Sequence, residues 1–156
     1  MAGINRRSVR AGALWGGVVF FVWSMVAEFG GGYLFVGKTR MDIAMNNGWF
    51  LKDPRVPTWL FFVVWIVCLF LIAWGLAWLY ASLRATAGPG PKTAATLGLI
   101  VGFAAGFPME FAHAAFQPLT GRYAVVWCLE MLVGCMLAAL TAGRVYKDAP
   151  PAGAAS

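Results

Sequence analysis

The chain has 156 residues, of which 61% are hydrophobic and only 12% charged, with a formal net charge of +6. A soluble domain carries about 25% charged residues, so a soluble core of this apolar content would have too little polar surface to cover it, and the missing solvent is lipid. The twelve Lys and Arg residues lie between and beside the apolar runs rather than in one patch, which fits lipid headgroups and argues against a nucleic-acid partner.

Crossing a hydrocarbon core takes a helix of about 20 apolar residues. Lipid offers the backbone no hydrogen-bond partners, so helices are expected at these lengths. Residues 1–10 form a basic N-terminus with Arg6, Arg7 and Arg10. The first span is predicted over 11–36, interrupted only by Glu28. Its run outlasts the h-region of a signal peptide and no small-residue cleavage site closes it, so it reads as retained. The connection 37–55 contains an amphipathic stretch, MDIAMNNGWFL (41–51), expected to lie along the membrane surface as a lid or an anchor.

The second span, 56–83, carries no charge. AGPGPK (87–92) is a tight turn built on Gly and Pro. The third span, 93–117, carries Glu110 and His113, and Pro108 should kink it just before Glu110 by removing the donor to the Ala104 carbonyl. QPLTGR (117–122) is a second turn. The fourth span, 123–143, carries Glu130, and 144–156 reads as a disordered tail. The fold class is therefore all-α, an integral membrane four-helix bundle.

Positive charge sets its orientation. With both termini inside, Arg6, Arg7, Arg10, Arg84, Lys92, Arg144 and Lys147 face the cytoplasm, against Lys38, Arg40, Lys52, Arg55 and Arg122 outside. The three arginines ahead of the first span reinforce this N-in/C-in reading. Trp15, Trp49, Trp59, Trp78, Tyr80 and Tyr123 fall near predicted helix ends, as an aromatic belt would. Cys68, Cys128 and Cys135 all lie in apolar runs without paired spacing, so they read as buried thiols rather than disulfides.

A charged side chain deep in a bilayer costs a few kcal/mol, so the three glutamates need an account. Counting about 1.5 Å per residue puts Glu28, Glu110 and Glu130 at a similar depth, roughly 10–12 Å below the outer boundary. Each lies on a stripe of mostly small residues at four-residue spacing: Gly12, Gly16, Phe20, Ser24 and Gly32 with Glu28; Gly98, Gly102, Gly106 and Ala114 with Glu110; Gly134, Ala138 and Ala142 with Glu130. Such stripes let membrane helices approach closely. The expectation is one polar pocket open toward the outer side, walled by the apolar second span. VAEFGG in the first span and PMEFAH in the third form a faint repeat.

Glu110-Phe-Ala-His113 is an E-x-x-H motif, and residues three apart share a helix face. With Glu130 and Glu28 it could hold a single Zn or Fe ion, which is half of a di-iron carboxylate set. Met25, Met109 and Met131 nearby would suit copper, but they also serve as ordinary apolar filler. A second reading is proton or cation handling, since clustered glutamates in low dielectric repel one another and at least one is expected to hold a proton. In the third, protonated glutamates and His113 simply hydrogen-bond across helices.

The stretch WLYASLRATAGPGPKTAATLGLIVGF (78–103) resembles a pattern in a family of small bacterial four-span membrane proteins of unassigned function. In them, a W-L-Y-x-x-L-R helix end leads through a Gly-Pro turn into a K-T-A helix start. The resemblance implies a protein of the bacterial inner membrane and carries no chemistry.

The sequence thus points to a non-catalytic membrane protein whose outward-facing acidic pocket, lined by Glu28, Glu110, His113 and Glu130, binds a small ligand, a proton or cation, or a partner helix. One alternative is a metal-dependent membrane enzyme using Glu110, His113 and Glu130 with a Zn or Fe cofactor. Another is an accessory subunit of a larger membrane complex. The expected partners are the lipid bilayer and a second copy or a larger complex.

Overall fold

A computed structural model describes residues 4–38, 57–116 and 121–148. All regular structure among them is helical. Helix α1 (Arg6–Met25) starts where Asn5 caps it, the side-chain oxygen accepting from the N–H groups of Arg7 and Ser8. Without a break α1 runs into a wide-turned π-helical stretch, π1 (Val26–Val36). Helix α2 (Thr58–Ala87) begins after Pro57. The turn that follows needs Gly88 at φ +85° and Gly90 at φ +131°, where a side chain would be strained. Pro91 then opens α3 (Pro91–Val101), which continues as π2 (Gly102–Gly106) and α4 (Phe107–Phe116). Helix α5 (Gly121–Val145) is the last among the described residues.

Four helical stretches, Arg6–Phe35, Phe62–Ala87, Pro91–Ala112 and Arg122–Val145, are long and apolar enough to cross a membrane. The sequence boundaries fall short of most helix ends. Helix α1 begins at Arg6, not 11, because Asn5 supplies the cap. Helix α2 runs to Ala87, one turn beyond 83. Just ahead of Pro108, where the sequence predicts a kink, the helix takes the wider turns of π2, which accommodate the missing donor. The glycine run Gly30–Gly32 makes the same wide turn sterically cheap in π1. The two Glu-Phe pairs of the faint repeat therefore sit inside π1 and in the first turn of α4, after π2. Residues 41–51 and 117–120 lie outside the described residues.

Helix α5 packs against all three of the other long stretches. Helix α1 lies between α2 and α5, while α3 lies against α5 and, near the shared turn, α2. Among the described residues the first and third stretches do not meet, and α2 approaches none of π1, π2 and α4. Trp59, Leu60, Phe62, Val63 and Val64 are all exposed, so α2 leaves the bundle at its N-terminal end. The apolar wall expected of the second span does not enclose the glutamates.

Close helix approach comes from the small residues. Gly12 faces Ala142, Gly16 faces Ala138, and Phe20 fills the space over Gly134. Each rung is four residues on in α1 and four back in α5, as two antiparallel helices require. On the other side of α5, a Cβ at Gly98 would stand 2.5 Å from the Met136 Cα, and one at Gly102 2.8 Å from the Leu132 Cα.

The end bearing both termini is tied together. The Ser8 hydroxyl donates to the Lys147 carbonyl at 2.9 Å, and the Asn5 N–H donates to the Tyr146 hydroxyl at 3.1 Å. Arg84 pairs with Asp148 at 3.0 Å and lies over the Tyr146 ring at 4.8 Å. Residues 144–148, assigned to a disordered tail by sequence, are thus drawn into the fold, with the helix running to Val145. Tyr80 is also not in an aromatic belt. It is buried, and its hydroxyl accepts the Gly90 N–H at 3.1 Å.

Gly98→Ala should destabilise the fold by about 1–3 kcal/mol, the usual cost of overpacking. Gly75→Ala, with nothing within 4 Å of the added carbon, should be neutral or stabilising by up to about 1 kcal/mol. Thermal unfolding of the two variants in detergent checks both.

Candidate functional site

The α1–α5 ladder continues one rung further. Ser24 comes four residues after Phe20, and Glu130 four before Gly134, so the serine faces the carboxylate-bearing residue. Both are buried, Ser24 at 0% exposure and Glu130 at 5%. One turn later, where α1 has become π1, Glu28 turns back toward the same point. The Glu28 and Glu130 carboxyl groups hydrogen-bond to each other. A hydrogen bond between two carboxyl groups closes only when one of them carries a proton.

Two indoles fix this pair. Trp127, three residues before Glu130 on α5, donates its N–H to the Glu28 side chain. Trp23 donates its N–H to the Glu130 backbone carbonyl at 3.0 Å, which locks α1 to α5 beside the acids. Tyr123 is also buried, close to Glu28, with its ring 5.7 Å from Trp127. Like Tyr80, it belongs to the interior and not to a belt.

Ser24 stands out within this cluster. Its hydroxyl is fully buried and lies within hydrogen-bonding reach of the Glu130 carboxyl. Buried polar atoms are nearly always satisfied, and the Glu130 carboxyl is the polar group that faces this one.

Glu28 and Glu130 therefore meet directly. Glu110, in the first turn of α4, lies within electrostatic range of both but outside their hydrogen bond. His113 lies one turn further along α4, and its side chain is outside the described residues. Among the described residues, no three His, Cys, Asp or Glu side chains converge closely enough to hold a metal ion. Cys128 and Cys135 are buried and free, whereas Cys68 is exposed on α2 rather than buried as expected. Sequence reasoning noticed Ser24 only as a small residue. Its signal was its place on the stripe, one turn before Glu28. Trp23 and Trp127 were missed, because indoles in an apolar run look like filler.

Elsewhere, Phe103, Phe107 and Phe111 stack on an exposed face of the third stretch, with centroids 5.1 and 5.0 Å apart, and with Ala104 and Pro108 they line an apolar groove. No protein-family model matches the chain, and neither does any characterised protein or solved structure.

Glu130→Gln keeps a donor and an acceptor facing Glu28 and should change stability little. Glu130→Ala removes the partner of a half-buried acid and should cost about 1–3 kcal/mol. Thermal unfolding of the pair of variants side by side reads the difference.

Proposed function

We propose that this is a non-catalytic integral membrane protein of the bacterial inner membrane, with both termini in the cytoplasm, whose acidic site near the outer face binds a proton or a small cation. The observation that carries this reading is the carboxyl–carboxyl hydrogen bond between Glu28 and Glu130. Two unpartnered carboxylates in hydrocarbon would cost several kcal/mol. A shared proton removes one of those charges, and the indole N–H of Trp127 offsets part of the other. The site therefore has a built-in reason to hold a proton at neutral pH and to exchange it only for another positive charge.

Charge distribution supports the orientation. Arg6, Arg7, Arg10, Lys92, Arg144 and Lys147 are exposed at the end that carries both termini, which is the side that cytoplasmic loops favour. The acid pair lies toward the opposite end of the same helices. Helix α2 does not close over π1 or α4, and Glu28 remains partly exposed, so the site has a route to its surroundings.

Infrared spectra of the protein in bilayers at neutral pH should contain a protonated-carboxyl C=O stretch that shifts on ¹³C-glutamate labelling. That band should disappear in Glu28→Gln and in Glu130→Gln. A wild-type spectrum without it would sink the reading. A reporter enzyme fused to the C-terminus and active only in the cytoplasm should be active, and an inactive fusion would reverse the orientation.

A further inference from the structure

We infer that the end of the bundle carrying both termini is a binding surface for anionic phospholipid headgroups, formed by Arg6, Arg7, Arg10, Lys92, Arg144 and Lys147. The inference stands apart from the acid pair, which lies toward the other end of the same helices.

The first argument is a charge imbalance. All six cations are exposed, and none of them makes an ion pair among the described residues. Among those residues the acid at this end is Asp148, which is paired with Arg84 at 3.0 Å. Arg84 is fixed in turn over the Tyr146 ring, so that pair cancels only itself. Residues 1–3 and 149–156 contain no acidic side chain. Six positive charges therefore face outward at this end without a counter-charge from the chain.

Placement is the second argument. Arg6 and Arg7 open α1, and Lys92 is the second residue of α3. Neither helix has an acidic residue in its first turn. A helix N-terminus carries partial positive charge, so cations there are unfavourable and acids are preferred. A local rule broken in this way is expected where function requires it, and an anion from outside the chain would offset the cost. The fold then gathers the cations. Asn5 and Ser8, at the start of α1, hold Tyr146 and Lys147. Gly143 lies against Ala94, which brings the last turn of α5, with Arg144, to the first turn of α3, with Lys92.

Depth selects the partner. Leu14 and Trp15, one turn beyond Arg10, are apolar and exposed. Leu99 and Ile100 are exposed as well, roughly 10–12 Å along α3 from Lys92. Lipid chains cover such surface in a membrane-spanning helix, so the anions at the level of Arg10 and Lys92 are the phosphates of headgroups. The cations are also spread over the ends of three helices, which suits a layer of headgroups better than a single strand of nucleic acid. Each Lys or Arg near an anionic leaflet strengthens the attraction roughly fivefold.

The test reconstitutes the purified full chain in phosphatidylcholine bilayers. Electron spin resonance of spin-labelled lipids then measures how far phosphatidylglycerol is preferred over phosphatidylcholine at the protein surface. The label reports both leaflets, so the readout does not depend on which way the chain inserts. The preference should be about fivefold at low salt and fall as NaCl is raised. It should drop about twofold in Arg6→Gln/Arg7→Gln/Arg10→Gln and again in Lys92→Gln/Arg144→Gln/Lys147→Gln, each of which removes half of the cations. Arg122→Gln, at the other end of α5, and the charge-conserving Lys92→Arg/Arg144→Lys should keep the wild-type value. Thermal unfolding in pure phosphatidylcholine, equal for all variants, shows that the comparison is between folded proteins. No preference in the wild type overturns the inference, as does a preference that either triple variant retains in full. A loss in Arg122→Gln as large as in the triple variants overturns it too, because charge then acts without regard to its place. Competition by inorganic phosphate beyond that of NaCl at matched ionic strength replaces the headgroup with a free anion and overturns the lipid assignment.

Discussion

The arrangement depends on how closely α5 lets its neighbours approach. Helices in lipid gain little from burying apolar surface against one another, since the chains around them are equally apolar. Contact must come from shape, and here it comes from glycine and alanine. Gly12 and Gly16 sit against Ala142 and Ala138, and Gly98 and Gly102 sit against the backbone of α5 on its other side. Because both sides of α5 are used, the first and third stretches are held apart by it. The bundle is organised around this central helix, whose Cys135, Ala138 and Ala139 share one core with Phe20, Leu76, Tyr80 and Leu97.

That packing decides where the acids can go. Once the register between α1 and α5 is set by Gly12, Gly16 and Phe20, no further choice remains for Ser24 and Glu130, which follow at the same interval. An acid at Glu130 is then buried whether or not it has a partner. Glu28 can reach it because α1 gives way to the wider turns of π1, which change the direction of side chains after Met25. Wide turns inside helices are frequently found at functional sites. In this chain both occurrences adjoin a glutamate: Glu28 lies within π1, and Glu110 follows π2 by four residues.

Much of this was legible in the sequence, for a physical reason. The length and apolarity of four segments follow from the thickness of a bilayer, and the stripes at Gly12–Ser24, Gly98–Gly106 and Gly134–Ala142 follow from helical periodicity. Those two periodicities led to Glu28 and Glu130 without any knowledge of chain packing. What escaped depends on pairings between distant residues. Tyr80 and Tyr123 look like interface aromatics in one dimension. They are interior because Gly90 supplies a donor to the first and Glu28 and Trp127 surround the second. Residues 144–148 look like the start of a tail, yet Ser8, Asn5 and Arg84 hold them. The outward departure of α2 had no signal at all, since an uninterrupted apolar helix is equally compatible with protein and with lipid on every face.

That departure bears on what the acid site is for. Carboxyl groups that served only to join α1 to α5 would be best sealed on all sides, because each contact with lipid weakens the case for keeping them. Trp23 already ties the two helices through the Glu130 carbonyl, and the Gly–Ala rungs already set their spacing, so the joint does not need a second acid. Here the long apolar helix that could have covered the pair turns away, and Glu28 keeps part of its surface open while Glu130 and Ser24 behind it do not. A graded sequence of polar groups, from an accessible carboxyl to a buried carboxyl and a buried hydroxyl, is what the proposed proton or cation site would need.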